Sequence, residues 1–274
     1  MARARARTIL MEYGYSEKKA ELRACSVEMK KIVIVLGTTG AGKSTIINMM
    51  FNEDYNKDAC SQPLPIGNTA DSVTKNEAWR FNPKDGRLYI DTIGFGDPSR
   101  PDFCVAKEIK DFIRNTNSGV HCILIVVRFG RLSTEERFNL HAIEALFDKR
   151  WAHVSCLVAT HYDGDVGDAA EKREVDKWLG EDDEMKEFMT RIGNRIILTD
   201  NSLGRHEVAN RPLRKRCLER MNQFVNECDS LVGPAPKNLT DMVLEFLEIY
   251  FNFFQQRVNK KELKISCGTL VQKK

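Results

Sequence analysis

The stretch from Lys31 to Phe51, KIVIVLGTTGAGKSTIINMMF, leaves a chain few ways to fold. Ile32 to Leu36 is a continuous β-branched and aliphatic run, suited to a strand buried on both faces. After a glycine-rich turn, Ile46, Ile47, Met50 and Phe51 recur at helical spacing as an inward stripe. The turn, Gly37-Thr38-Thr39-Gly40-Ala41-Gly42-Lys43-Ser44, fits the phosphate-binding pattern G-x-x-x-x-G-K-[ST]. Glycines let successive N–H groups curl into a concave nest around phosphate oxygens. The helix start, running on into Thr45, adds unpaired donors and a positive dipole end. In such a loop Lys43 reaches the β- and γ-phosphates, and the Ser44 hydroxyl takes a position on magnesium. An accidental turn would match the four fixed positions about once per hundred chains of this size. The strand before it and the helix after it make an accident rarer still.

At 274 residues the chain can hold one large α/β domain with additions at its ends. Its 42 basic and 39 acidic residues nearly balance, so bulk charge does not call for nucleic acid, and none is expected as a partner. The eight cysteines form no C-x-x-C pair and no zinc spacing. Cys122 and Cys156 lie in strand-like apolar runs, where a thiol acts as a small hydrophobe. Reduced cysteines and the lack of an apolar run near the N-terminus suggest an intracellular protein. The expected place is the cytoplasm, with peripheral attachment to an intracellular membrane as the alternative. The acid-free start MARARARTIL faintly resembles a transit peptide; a disordered basic tail over 1–29 is the preferred reading.

Downstream of the first helix, Tyr55 to Thr74 reads as a long irregular loop. Asn76 to Phe81 and Arg87 to Asp91 flank Asn82-Pro83-Lys84-Asp85-Gly86, a hairpin turn. His121 to Val127 is a buried strand, followed by an amphipathic helix over Ser133 to Arg150. Ser133 and Glu136 form its capping box. Strands at Val154 to Thr160 and Arg195 to Thr199 enclose helices at Asp168 to Leu179 and Asp183 to Arg191, and a further helix ends near Cys228. The alternation predicts a mainly parallel sheet covered by helices over residues 30–232, a P-loop domain of Ras-like type. After the joint Gly233-Pro234-Ala235-Pro236, the segment 237–274 carries an apolar helix from Leu239 to Val258. Glu245 and Glu248 interrupt it too early for a membrane span. It is read as packing on the domain or on a partner helix, with a transient membrane contact as the lesser option.

Asp91-Thr92-Ile93-Gly94 closes the second hairpin strand as a D-x-x-G element. Asp91 would hold magnesium through a water, and the Gly94 N–H would sense the γ-phosphate. Phe95 follows, where Ras-type enzymes carry a water-positioning glutamine, so slow intrinsic hydrolysis is expected. Thr160-His161-Tyr162-Asp163 stands where guanine-specific proteins carry N-K-x-D. A carboxylate at Asp163 would pair with the guanine N1–H and N2 amino groups, while His161 could stack over the base.

Together these segments resemble the avirulence-induced-gene type of GTPase, the immunity-associated GTPases (GIMAPs), related to septins and chloroplast-import GTPases. Gly119 to Val127, continued by Gly130-Arg131-Leu132-Ser133-Thr134-Glu135-Glu136, is similar to that family's hydrophobic box. Ser72-Val73-Thr74-Lys75 resembles its switch I segment, which implies Thr74 as a magnesium and γ-phosphate ligand. Asp200-Asn201 falls where the family makes its last base contact, implicating Asn201. Ile93 departs from the family's usual proline. The resemblance implies GTP and GDP as ligands with magnesium, and a homodimer or higher oligomer across the nucleotide face. Arg128 and Arg131 are candidates for an arginine acting in trans, or else ordinary surface arginines. Arg205, Arg211, Arg214, Lys215, Arg216 and Arg220 are read as a solvated helix face rather than an anion site.

Overall fold

The computed structural model describes residues 11, 31–51, 78–82, 85–92, 94, 102–115, 119–130, 132–165, 167–180, 182–200, 211–231, 233–235, 241, 242, 245 and 249. Among the described residues six strands form one sheet: β1 (Lys31–Gly37), β2 (Ala78–Asn82), β3 (Arg87–Asp91), β4 (Cys122–Arg128), β5 (Ser155–Thr160) and β6 (Ile196–Leu198). Their order is β2-β3-β1-β4-β5-β6. Only β2 runs antiparallel, pairing with β3 across the predicted hairpin. Gly86, at φ 70°, donates its N–H to Asn82 O to close that turn.

The helices are α1 (Lys43–Phe51), α2 (Asp102–Asn115), α3 (Thr134–Leu146), α4 (Asp168–Gly180), α5 (Asp183–Arg191) and α6 (Arg211–Cys228). From β1 the chain moves through α1 to β3 on one side, then through α2 to β4 on the other. With right-handed crossovers, α1 and α2 must cover opposite faces of the sheet. Accordingly α1 packs with α6, and α2 packs with α3. Every β1 residue from Ile32 to Leu36 is fully buried, as the unbroken apolar run requires. Cys122 and Cys156 are buried small hydrophobes within β4 and β5. The connections diverge where β1 meets β4, so the crevice at their C-terminal ends is the natural ligand position.

Three features depart from the expectations. Helix α2 was not anticipated, although Val105, Ala106, Ile109 and Ile113 form its buried stripe. The helix expected to reach Arg150 stops at Leu146. Phe147 is extended (φ −122°, ψ 158°), and Asp148 caps a separate 3-10 helix, Lys149–Val154. The apolar period runs through the break because Phe147, Trp151 and Val154 are all buried. What interrupts it is distant in sequence: Asp148 N–H donates to Ala235 O at 3.0 Å, and Ala235 N–H donates to Asp148 Oδ2 at 3.2 Å.

The third departure is the basic set. Arg216 and Arg220 on α6 pair with Asp168 and Glu171 of α4, and Arg214 lies buried 3.8 Å from Asp200. These arginines bind the fold together rather than forming a solvated face. Lys215 is exposed beside Glu219, and Arg205 lies outside the described residues. Of the C-terminal segment, Asp241, Met242, Glu245 and Ile249 are helical; Met242 is fully buried and Ile249 packs on the core. Among the described residues no helix is long and apolar enough to cross a membrane.

Candidate nucleotide site

Four strand ends and one helix start converge at the crevice. β1 hands over to the P-loop at Gly37, where the backbone passes so close to β4 that a Cβ would lie 2.2 Å from Val126 O. Gly37 also holds φ at 153°, and either constraint alone excludes a side chain. Inside the loop, Lys43 is buried and its Nζ donates to Thr38 O at 2.8 Å and Gly37 O at 3.3 Å. The ammonium is thus already stationed within the cradle. Gly94 of D-x-x-G rests on the loop: a Cβ there would come 2.3 Å from Thr39 N. The structure therefore places this glycine against the phosphate loop.

Ser44, at the start of α1, donates its hydroxyl to Asp91 Oδ2 at 2.5 Å. Asp91 is almost fully buried at the end of β3, and its Oδ1 has no hydrogen-bond partner among the described residues. Thr39 Oγ1 is buried and likewise unpartnered. Burial pushes the Asp91 carboxyl above its usual range, against the lowering effects of the Ser44 bond and the Lys43 charge. A buried carboxylate oxygen facing no donor is costly unless something else binds it. A hydroxyl and a carboxylate are hard oxygen donors of the kind magnesium takes, so the pair fits that ion. Thr74, its remaining expected ligand, lies outside the described residues, as do Ile93 and Phe95.

The base motif follows β5. Asp163 is exposed at the crevice rim, and His161 is exposed in a left-handed conformation (φ 61°). Burial, then the nearby Arg128 charge, lowers the His161 pKa, with Asp200 opposing. Thr160 is fully buried; its hydroxyl lies 2.8 Å from Ala41 O, 3.1 Å from Val127 O and 2.9 Å from His161 Nδ1. That residue faces the phosphate loop rather than open solvent. Tyr162, the unassigned position of the motif, is buried edge-on against Phe129 and donates to Asp165 O at 3.0 Å. Its N–H reaches Thr199 O, tying the motif to the end of β6. This stiffening was not anticipated; an aromatic residue between two polar ones was its only signal. Asp200 is buried next to Arg214, and Asn201 and Arg131 lie outside the described residues. Arg128 bonds within its own chain, Nη2 to Gly40 O at 3.1 Å.

A sheet in this order, with a P-loop after β1, D-x-x-G after β3 and a carboxylate motif after β5, defines the P-loop GTPase fold. The AIG1 family profile matches residues 31–231, and the chain belongs to that family. The chain is 29% identical over 184 residues to immune-associated nucleotide-binding protein 9 of Arabidopsis thaliana, covering 65% of this chain and 50% of that one. It is also 29% identical over 192 residues to immune-associated nucleotide-binding protein 7 of the same plant, covering 69% and 56%. It thus spans about half the length of these curated relatives. Among solved structures, Toc33 from Arabidopsis thaliana in complex with magnesium and GMPPNP superposes with a TM-score of 0.50 at 17% identity, covering 77% of this chain and 92% of that one. A second match comes from work on the dimerization important for the GTPase activity of the chloroplast translocon components atToc33 and psToc159. Its TM-score is 0.51 at 18% identity, with 79% and 91% covered.

Proposed function

We propose that this chain binds GTP and GDP with magnesium, hydrolyses GTP slowly, and self-associates in a nucleotide-dependent way. The observation that carries the reading is the pairing of Ser44 with the buried Asp91, whose second carboxylate oxygen is unpartnered among the described residues, set directly beside Lys43. Family membership and the complex of Toc33 with magnesium and GMPPNP support it.

In this reading the P-loop N–H groups from Thr38 to Thr45 cradle the phosphates. Lys43 exchanges its two loop carbonyls for β- and γ-phosphate oxygens, so its charge opposes the one that develops during transfer. Ser44, Thr74 and, through a water, Asp91 would hold magnesium, which would supply further charge stabilisation when bound. Gly94, already against the loop, offers its N–H to the γ-phosphate. Asp163 reads the guanine edge from the rim, Asn201 completes the base pocket, and His161 lies over it. Thr160 serves this pocket indirectly, by holding Ala41 O. Phe95 has no group to orient water, so intrinsic turnover is slow. Arg131 is the candidate for an arginine supplied by a second copy. The dimerization named for atToc33 and psToc159 supports self-association here.

A second reading, a scaffold that binds GTP and scarcely turns it over, is favoured by the same Phe95. Turnover per molecule measured against protein concentration separates the two: a rate still negligible at high concentration leaves only the scaffold. The base assignment has its own test, competition of GTP, XTP and ATP for binding. Wild type should prefer GTP, and Asp163→Asn should shift the GTP-over-XTP preference by about tenfold to a hundredfold, the worth of a paired carboxylate contact. A wild type preferring ATP, or a variant with unaltered preference, would overturn the assignment.

A further inference from the structure

Arg128 is the last residue of β4, in register with Thr160 of β5. Its backbone is held on both sides. Arg128 N–H donates to Glu136 Oε1 at 3.2 Å, and the following Phe129 N–H donates to Thr160 O at 2.8 Å. Glu136 is itself fixed, being buried and closing the capping box with Ser133. From this rigid base the exposed guanidinium reaches Gly40 O. The next carbonyl of the same loop, Ala41 O, takes the Thr160 hydroxyl. Two successive P-loop carbonyls are thus tethered by side chains from two adjacent strand ends.

We propose that Arg128 is a nucleotide-positioning residue acting within its own chain, holding the phosphate loop in its binding shape and joining it to the base motif. The proposal rests on the reading of this crevice as a guanine-nucleotide site. In a trans peptide C=O and N–H point in opposite directions. Anchoring Gly40 O and Ala41 O outward therefore orients the N–H groups of Ala41 and Gly42 toward the inside of the loop. Ala41 N–H does lie across the loop, 3.3 Å from Thr38 O, the carbonyl that also receives Lys43. The position where guanine motifs commonly carry lysine is His161, and the cation beside it comes from β4 instead. Arg128 is suited to that part because its planar guanidinium keeps donors free after the Gly40 bond.

The test is the dissociation rate of fluorescent GDP and of a fluorescent nonhydrolysable GTP analogue, by stopped flow, at low and high protein concentration. Arg128→Ala should speed release of both nucleotides about fivefold to tenfold at both concentrations, the worth of one charge-assisted hydrogen bond. Arg128→Lys, keeping the charge and a donor, should recover most of that loss. The nucleotide-free melting temperature should stay at the wild-type value, because the side chain is exposed. Unchanged release from Arg128→Ala would overturn the proposal. Faster release at the high concentration alone would also overturn it, by placing the arginine's action in a second copy. A lowered nucleotide-free melting temperature with unaltered release would reduce Arg128 to a structural part. A wild type that binds no guanine nucleotide would remove the function reading first.

Discussion

Among the described residues, Asp91 Oδ1 and Thr39 Oγ1 at the C-terminal ends of the strands are buried without hydrogen bonds; at the N-terminal ends Arg87 Nε and Asp229 Oδ1 lack them too, but there the charged side chains are already ion-paired with one another. There Arg87 of β3 donates to Asp85 Oδ2 at 3.3 Å, Asn226 Oδ1 at 2.6 Å and Asp229 Oδ2 at 2.8 Å. Lys31 of β1 donates to Asp229 O, and its Nζ stands 3.7 Å from Asp229 Oδ1. Gly233 lies so near the segment leading into β4 that a Cβ would come 1.7 Å from Val120 O. One end is closed by the last turn of α6 and the chain that follows it. The other keeps polar capacity in reserve. At the closed end the charges are already paired within the chain, whereas the described hydrogen bond of Asp91 comes from the neutral Ser44 hydroxyl, so binding and stability should separate along the strand axis.

Arg87→Ala is the most forceful way to challenge that separation. It leaves Asp85, Asn226 and Asp229 without their shared donor at a largely buried position. A stability loss of about 2–3 kcal/mol is expected, at the lower end for a broken buried pair because Asp229 is partly exposed. Urea denaturation of the nucleotide-free protein measures it. The folded variant should bind GTP with wild-type affinity. If affinity falls along with stability, the two ends are coupled and the contrast fails.

Asp91→Asn probes the open end and should do the reverse. Removing a buried charge whose second oxygen is unpartnered should leave nucleotide-free stability unchanged, or raise it by up to about 1 kcal/mol. The magnesium-dependent tightening of GTP binding should shrink by about tenfold or more, from loss of the carboxylate charge that would hold the ion through a water. Titrations with magnesium and with a chelator decide the matter. A variant that is less stable without nucleotide, yet keeps the full magnesium effect, would show Asp91 to be structural.

The open end was the more legible of the two from residues alone. Its demands are local: Gly37 and Gly94 answer close backbone approaches, and Lys43, Ser44 and Asp91 stand at strand or helix ends where pattern and position agree. The closed end depends on pairs far apart in sequence, Arg87 with Asn226 and Asp229, or Asp148 with Ala235. No periodicity encodes such pairs. The same blindness produced the helix drawn through Phe147, since the strap that breaks it arrives from the region of the Gly-Pro joint. It also gave the α6 arginines to solvent, because the acidic partners of Arg216 and Arg220 lie on α4 and that of Arg214 follows β6. Thr160 shows an intermediate case. Its motif position was legible, but the direction of its hydroxyl, toward Ala41, depends on how β5 sits beside the loop.

His121 supplies the gentlest test, and it lies at the closed end. Its Nδ1 accepts the Ile32 N–H at 3.1 Å, and the His121 backbone N–H donates to Ile32 O at 2.9 Å. That geometry needs an unprotonated Nδ1. Burial lowers the pKa, Lys31 lowers it further, and Asp229 and the Gly119 carbonyl oppose them. A histidine pKa lower in the folded state means that the unfolded chain binds the proton more readily. The His121 contribution to stability is therefore complete above the unfolded value of about 6.5 and declines as pH falls toward the folded one. In His121→Asn the amide oxygen can accept the Ile32 N–H without titrating. Wild type should lose stability relative to this variant below pH about 6.5, by under about 1 kcal/mol given partial exposure. GTP affinity at pH 7.5 should be equal in the two proteins, because the difference arises at the end of the strands that the nucleotide does not touch. Parallel stability–pH curves would show that His121 does not titrate with unfolding, and an affinity difference would mean that the closed end reaches the site after all.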